Sequence, residues 1–372
     1  MSDRNDDDVT RRSYLRHLVP LLAVLGLLLG ACSSTLPQSS LNPKGAEAEQ
    51  IDQLWKLVLG LATFVFVVVN AALLFAVIRF RRRKGDTSEP KQVHGNTRLE
   101  ITWTILPAVI LAVLAVPTLK TLFELRSTAE GEGVLTVNVT GHQWWWEFEY
   151  PSFVAPDGRT LRTANELHLP AGVTANLVLT SADVLHSFWV PPLNGKRDLV
   201  PGEIQHLKLT PDADLDEVIP GQCAEYCWLG HADMRMRVHV EPQADFDAWV
   251  AAQLTPSPVP AEGTVEATGY ATFSQLCVTC HAAYVSGPDG VQEIGARLAP
   301  DLTHFGSRET MAAAIMTNTT EHLTAWIDDP AQLKPMAPQY NDLATGRILG
   351  MPDYGLDAEA IDAVAALLES WR

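Results

Sequence analysis

Two long apolar runs dominate the first third of the chain. Leu54 to Ile78 is almost wholly apolar, and a second run extends from Ile101 to about Leu122. Each is long enough to cross the ~30 Å hydrocarbon core of a bilayer as a helix. Because the runs are uninterrupted, they predict a transmembrane hairpin rather than amphipathic core helices. Pro107 and Pro117 fall inside the second run, where a span tolerates them and can kink. Between the runs, Arg79-Phe80-Arg81-Arg82-Arg83-Lys84 marks the cytoplasmic end, so the chain after about residue 125 is expected outside the cytoplasm. Upstream, a basic stretch, a shorter apolar run and small residues before Cys32 have the layout of a cleaved export signal over residues 1–31.

The period changes to two at Val134. Leu135, Val137 and Val139 alternate with Thr136, Asn138 and Thr140, as in a half-buried strand. The alternation continues through the run Trp144-Trp145-Trp146-Glu147-Phe148-Glu149-Tyr150, with Trp144, Trp146, Phe148 and Tyr150 on one face. Of three tryptophans in a row, at least one should face outward. Further strands are expected at Glu166–Leu169, Ala175–Thr180, Gln205–Leu209 and Arg235–Val240. Several short strands separated by Pro, Gly and Asp clusters suggest a β-sandwich or barrel. Thr255 to Gly263 then reads TPSPVPAEG, a proline-rich linker. The expected organisation is a multidomain membrane protein: a hairpin over 32–125, a β domain over 126–245, a linker over 246–265 and a helical domain over 266–372.

Composition narrows the partners. The 372 residues carry a formal net charge of −17. That argues against nucleic acid and favours basic partners, unless the acidity serves only solubility. The five cysteines are Cys32, Cys223, Cys227, Cys277 and Cys280. An odd number in two unequal close pairs suits cofactor chemistry better than a disulfide framework.

The stretch 223–234 reads CAEYCWLGHADM, and His186 lies upstream in DVLHSFWV. Zinc takes Cys and His but has no use for a thioether. Thiolate, imidazole and methionine together suit copper that cycles through Cu(I). Two thiolates and two imidazoles exceed what one blue copper needs. Two cysteines could instead bridge a pair of coppers, each completed by a histidine and a weak axial ligand.

Further on, Cys277-Val278-Thr279-Cys280-His281 is the attachment signature of c-type heme. Its two thiols reach the vinyl groups and His281 ligates the iron. A thioredoxin-like dithiol would not require His281. A downstream methionine should be the sixth ligand, since Met/His ligation raises a cytochrome's potential. Met351 and Met336 both lie next to prolines. Met311 and Met316 fall in an Ala-rich run that reads as helical core, and His142, His168, His206, His239, His304 and His322 read as structural or surface.

These strings resemble cytochrome c oxidase subunit II. The resemblance rests on C-x-E-x-C-x-x-x-H-x-x-M, DVLHSFWVP, GHQWWWEFEY, HGN and LEITWTILPA, and covers roughly residues 50 to 245. It implies a cupredoxin fold holding the binuclear CuA centre. His186, Cys223, Cys227, His231 and Met234 would be side-chain ligands. Glu225 would ligate through its carbonyl, and its carboxylate would help bind magnesium at the border with subunit I. Trp144 matches the tryptophan through which electrons enter CuA. Glu100 matches a carboxylate at a proton-channel mouth, although a carboxylate at the membrane edge is also an ordinary interfacial charge. Two positions depart from the family pattern. Trp228 stands where glycine is common, and Glu203 follows Pro201-Gly202 where an arginine is usual.

The C-terminal domain resembles class I cytochrome c. Ala299-Pro300-Asp301-Leu302 matches the loop over the proximal histidine. Met351-Pro352-Asp353-Tyr354-Gly355-Leu356, followed by an amphipathic Asp357–Trp371, matches the axial-methionine loop and last helix. Met336 in Lys334-Pro335-Met336 is the alternative. Leu29-Gly30-Ala31-Cys32 resembles a bacterial lipobox, implying lipidation of Cys32, and RRSYL resembles a twin-arginine signal.

As a whole the chain resembles the cytochrome-c-fused subunit II of a caa-type heme–copper oxidase. That implies a two-pass protein of the bacterial cell membrane, with both redox domains on the extracytoplasmic face. Its partners would be subunits I and III, with cytochrome c or a quinol–cytochrome c reductase complex as donor. A lipid-anchored electron carrier or copper-delivery module is a second reading, against which the hairpin argues. A CuA-bearing subunit of a nitric oxide or nitrous oxide reductase is a third. Quinol oxidase subunits lack the copper ligands.

Overall fold

A computed structural model describes residues 26, 36–82, 85, 89, 92 and 94–372. The expected export signal apart from Gly26, the lipobox with Cys32, and the basic residues Arg83 and Lys84 lie outside the described residues.

The two apolar runs form α1 (Ala46–Phe80) and α2 (Thr97–Arg126), each long and apolar enough to cross a membrane. No residue of α2 is buried, and in α1 only Glu47, Ala48 and Asp52 are. Apolar surface disfavours water by ~25 cal/mol per Å², so helices this exposed and this apolar need a lipid surrounding. Pro107 and Pro117 sit within α2 without ending it. Asn96 caps α2 by accepting from Arg98 N and Leu99 N, and the Glu100 carboxylate reaches back to accept from Asn96 N at 3.1 Å. Glu100 therefore has a structural task at this helix end.

The hairpin is clasped to the domain above it. The Glu47 carboxylate accepts from Thr210 N at 2.8 Å and Thr210 Oγ1 at 3.0 Å. Lys208 Nζ donates to Glu124 O at 2.9 Å.

That domain is a sandwich of two five-stranded sheets. Its strands are β1 (Leu135–His142), β2 (Trp145–Val154), β3 (Thr160–Ala164), β4 (Glu166–Pro170), β5 (Ala175–Ser181), β6 (His186–Trp189), β7 (Arg197–Leu199), β8 (Gln205–Leu209), β9 (Glu217–Cys223) and β10 (Arg235–Glu241). One sheet has the order β3-β2-β1-β5-β8, the other β4-β10-β9-β6-β7. The alternation seen in sequence is the burial pattern of β1, and Trp146, Phe148 and Tyr150 are fully buried between the sheets. Four strands had no sequence signal of their own. β6 and β7 are too short to show a period, and β9 carries Pro220 and Gly221.

After β10, α3 (Gln243–Gln253) buries Phe246 and Val250 against the sandwich, with Trp249 at 5.4 Å from the Tyr150 ring. It occupies much of the stretch expected as linker. The following β11 (Ser257–Pro258) already pairs with β12 (Ala283–Gly287), which also pairs with β13 (Gly290–Ile294). The connection between the domains is thus short and bonded at both ends.

The C-terminal domain is helical, with that small sheet as an addition. Its frame is α4 (Val265–Gln275) crossing α7 (Ala358–Ser370), with α5 (Thr320–Asp328) and α6 (Pro330–Leu333) packed beside them. Asp357 caps α7 by accepting from Ala360 N at 2.9 Å. The Ala-rich run expected as helix is instead a hairpin, β14 (Thr310–Met311) and β15 (Met316–Thr317). Ala312, Ala313 and Ala314 turn it at φ 55°, 64° and 60°. Tertiary contacts override helix propensity here, since Ala313 O accepts from Arg235 N of the sandwich at 3.2 Å. Met311 is core as expected.

The helix crossing depends on Gly269, where a Cβ would lie 2.0 Å from Ala363 O. Gly269→Ala should therefore force the helices apart and cost about 1–3 kcal/mol, read as a lower thermal midpoint of the heme-domain signal. An unchanged midpoint would mean the helices do not cross this closely.

Candidate copper and heme centres

Strand pairing assembles the first centre. β6 and β9 are antiparallel neighbours with Phe188 opposite Cys223, which brings His186 to the end of β9. Past Cys223 the chain loops back to β10, and Cys223 N donates to Met234 O at 2.9 Å, closing the loop. The result gathers all six residues expected from the sequence. Cys223 Sγ and Cys227 Sγ are 3.9 Å apart and unbonded. His186 Nδ1 lies 3.9 Å from Cys223 Sγ, and His231 Nδ1 lies 3.6 Å from Cys227 Sγ. Met234 Sδ is 3.9 Å from Cys227 Sγ, and Glu225 O is 3.2 Å from Cys223 Sγ. Two sulfurs with one imidazole, and one weaker donor, on each side suit a pair of soft ions bridged by thiolates.

The surroundings hold those donors in place. His186 Nε2 is 2.8 Å from Asp183 Oδ1, which leaves Nδ1 for the metal. Burial works against a charged His186, but Asp183 and Cys223 more than offset it and raise its pKa. Hydrogen bonding from Cys227 pulls the Cys223 thiol down to about 4, and the hydrogen bond with Cys223, together with burial, pushes Cys227 up. Cys223 is therefore the readier of the two to ionise. The Trp228 position, unusual for the family, has φ 84°, a left-handed conformation that favours glycine.

The second centre lies between the domains. A cavity of about 150 Å³ has Cys277, Cys280, His281, Met336 and Met351 on one wall and Trp144, Trp145 and Asn165 on the other. The Cys277–Thr279 turn brings Cys280 N to Cys277 O at 3.1 Å, and His281 N donates to the same oxygen at 2.9 Å. His281 Nδ1 bonds Pro300 O at 2.8 Å, so Nε2 is the free ligand nitrogen. Burial pushes Cys277 up to about 11 and raises Cys280.

Trp144 joins the two centres. It is 3% exposed, buried beneath the C-terminal domain, and Trp145 is the more exposed neighbour. Its indole Nε1 donates to Cys227 O at 2.7 Å, and Gln143 Nε2 donates to the same oxygen at 2.9 Å. At Gly230 a Cβ would meet the Trp144 ring at 2.6 Å. From the other domain, Lys334 Nζ donates to Trp144 O at 2.7 Å. Burial pushes Lys334 down to about 7. Thr310 N and Oγ1 donate to Glu166 Oε1 at 2.8 and 2.7 Å. These contacts dock the domains face to face. Lys334, Asp183 and Gln143 were missed by sequence reasoning. Asp183, three residues before His186, was visible in principle, whereas nothing local marks Lys334.

Three family profiles match in chain order. They are the transmembrane domain of cytochrome c oxidase subunit II over 38–121, its periplasmic domain over 135–241, and cytochrome c over 266–371. A cytochrome c oxidase subunit 2 of Alkalihalophilus pseudofirmus is 37% identical over 330 residues, covering 87% of this chain and 91% of the relative. A quinol oxidase subunit 2 of Bacillus subtilis is 34% identical over 245 residues, covering 63% of this chain and 73% of the relative. The solved periplasmic domain of cytochrome oxidase subunit II from Bradyrhizobium japonicum is 25% identical. It has a TM-score of 0.31, covering 34% of this chain and 96% of that one. The matched domains imply CuA copper and heme c, and the donor sets described above fit both.

Copper binding needs both thiolates. Loading the site should release protons, from Cys227 and from His186 where it is charged, and uptake should weaken as pH falls. Indicator titration during copper addition measures this, and no release would contradict a protonated Cys227.

Proposed function

Because the chain belongs to the cytochrome c oxidase subunit II family, with a fused cytochrome c domain, we propose that it relays electrons from its own heme to CuA and subunit I. There oxygen would be reduced to water with proton translocation. When bound, heme c and CuA each supply a one-electron couple. His281 and Met351 would hold the heme iron, with Cys277 and Cys280 bonded to its edge. His186, Cys223, Glu225, Cys227, His231 and Met234 would hold the coppers.

One observation carries this reading. Trp144 walls the heme cavity and is hydrogen-bonded to the carbonyl of Cys227. A buried indole in that place gives a short path between the centres, a through-space step from the cavity to the ring and then a hydrogen bond to the Cys227 carbonyl. It also means that an external donor cannot reach Trp144 and would meet the C-terminal domain instead. The net charge of −17 favours a basic donor, cytochrome c or the basic face of a quinol–cytochrome c reductase complex.

Tyr226, Trp228 and Leu229 ring the copper loop and are 71%, 40% and 46% exposed. Apolar exposure of this kind suits a covered interface, here with subunit I, where the Glu225 carboxylate would share a magnesium ion. Subunit III would flank the same complex. Glu100, at the expected cytoplasmic end of α2, would sit at a proton-channel entrance in addition to its capping contact. The export signal and a lipid on Cys32 would complete a two-pass protein of the bacterial cell membrane.

Trp144→Phe keeps the ring but loses the bond to Cys227 O. It should slow heme-to-CuA transfer several-fold in pulse radiolysis, with both metal spectra unchanged. An unaltered rate would remove Trp144 from the path. Met351→Ala should abolish the near-infrared sulfur-to-iron charge-transfer band, while Met336→Ala should retain it. The reverse pattern would assign Met336 instead.

A further inference from the structure

A second cluster of ligand-type side chains lies on the sandwich, outside both redox centres. β4 and β10 pair in parallel with His168 opposite His239, so Glu166, His168 and His239 share one face. One ligand atom of each lies within 4.8 Å of the others, and all three residues are buried. The His239 Nε2 is buried and has no hydrogen-bond partner. It stands 3.9 Å from Glu166 Oε2, too far for a hydrogen bond.

Leaving such a nitrogen buried and unsatisfied is costly, which a ligand would relieve. Two ligands sharing one tetrahedral ion at ~2.0–2.1 Å lie about 3.3 Å apart, so a small contraction would satisfy both. The remaining histidine is already oriented as a metal ligand would be. Its Nδ1 is 3.0 Å from Glu241 Oε1, which leaves Nε2 with its lone pair. Burial and the neighbouring His239 keep His168 neutral.

We propose that Glu166, His168 and His239 form a binding site for a divalent zinc-type ion, with Glu241 orienting His168. Two imidazoles and one carboxylate, with no sulfur, suit zinc. The two rings stack at 4.3 Å, and Trp249 holds the far face of His168 at 4.0 Å, so His239 is the ring that would turn to bring both nitrogens to one ion. The site borders the docking joint. Glu166 offers one oxygen to the cluster while its other oxygen grips Thr310 of the C-terminal domain. An ion there would fix that carboxylate and stiffen the joint. The inference stands independently of the electron path.

The test uses the full chain with heme attached and CuA filled with copper, so the thiolates cannot take zinc. Bound zinc per heme is measured by equilibrium dialysis, and the ligand set by zinc-edge X-ray absorption. One zinc per chain with nitrogen and oxygen neighbours is expected. His168→Gln and His239→Gln should each weaken it, and Glu241→Gln should weaken it about 10–100-fold, as loss of an orienting partner does. An unchanged CuA signal in each variant verifies the fold. Sulfur neighbours, equal uptake by the double His variant, or no uptake by the wild type would each overturn the site.

Discussion

Trp144 is hydrogen-bonded at both ends, and the architecture of the two centres follows from that. Its indole Nε1 donates to Cys227 O at 2.7 Å, and its own carbonyl accepts from Lys334 Nζ at 2.7 Å. The first bond fixes the copper loop from below, together with Gln143. The second brings the C-terminal domain onto the same residue. Lys334 is buried at this contact, where a charged donor without a partner would be costly, so the lysine and the carbonyl specify one docking geometry.

This changes what the fusion accomplishes. A loose linker would raise the effective concentration of the heme domain near CuA to roughly millimolar levels. The structure goes further, because α3 packs on the sandwich and β11 already belongs to the C-terminal sheet, leaving little free chain between them. Docking then rests on Lys334, Glu166 with Thr310, and Arg235 with Ala313, rather than on linker length. The heme cavity is consequently built from both domains, with Trp144 and Trp145 as its far wall.

Much of this was legible in the sequence, for physical reasons. The copper donors lie within twelve residues plus one upstream histidine, because a single loop and one adjacent strand supply them. Cys277, Cys280 and His281 are contiguous because covalent attachment needs a single turn. The membrane hairpin and β1 announced themselves by hydropathy and period. What was hidden depends on contacts distant in sequence. Lys334 meets Trp144 across 190 residues. His168 and His239 are far apart in sequence, and only the pairing of β4 with β10 sets them side by side. The alanines at 312–314 favour helix locally and are held in a left-handed turn by the neighbouring domain. Proline-rich composition suggested a free linker, and packing of Phe246 and Val250 took part of it away.

The central claim is that the two redox domains are held in one geometry. Pulsed EPR of the full chain, with ferric heme and CuA both paramagnetic, measures the distance between them. A single narrow distance that broadens in Lys334→Met is what the docked arrangement requires. A broad distribution in the wild type would show a freely tethered heme domain and would contradict the composite cavity.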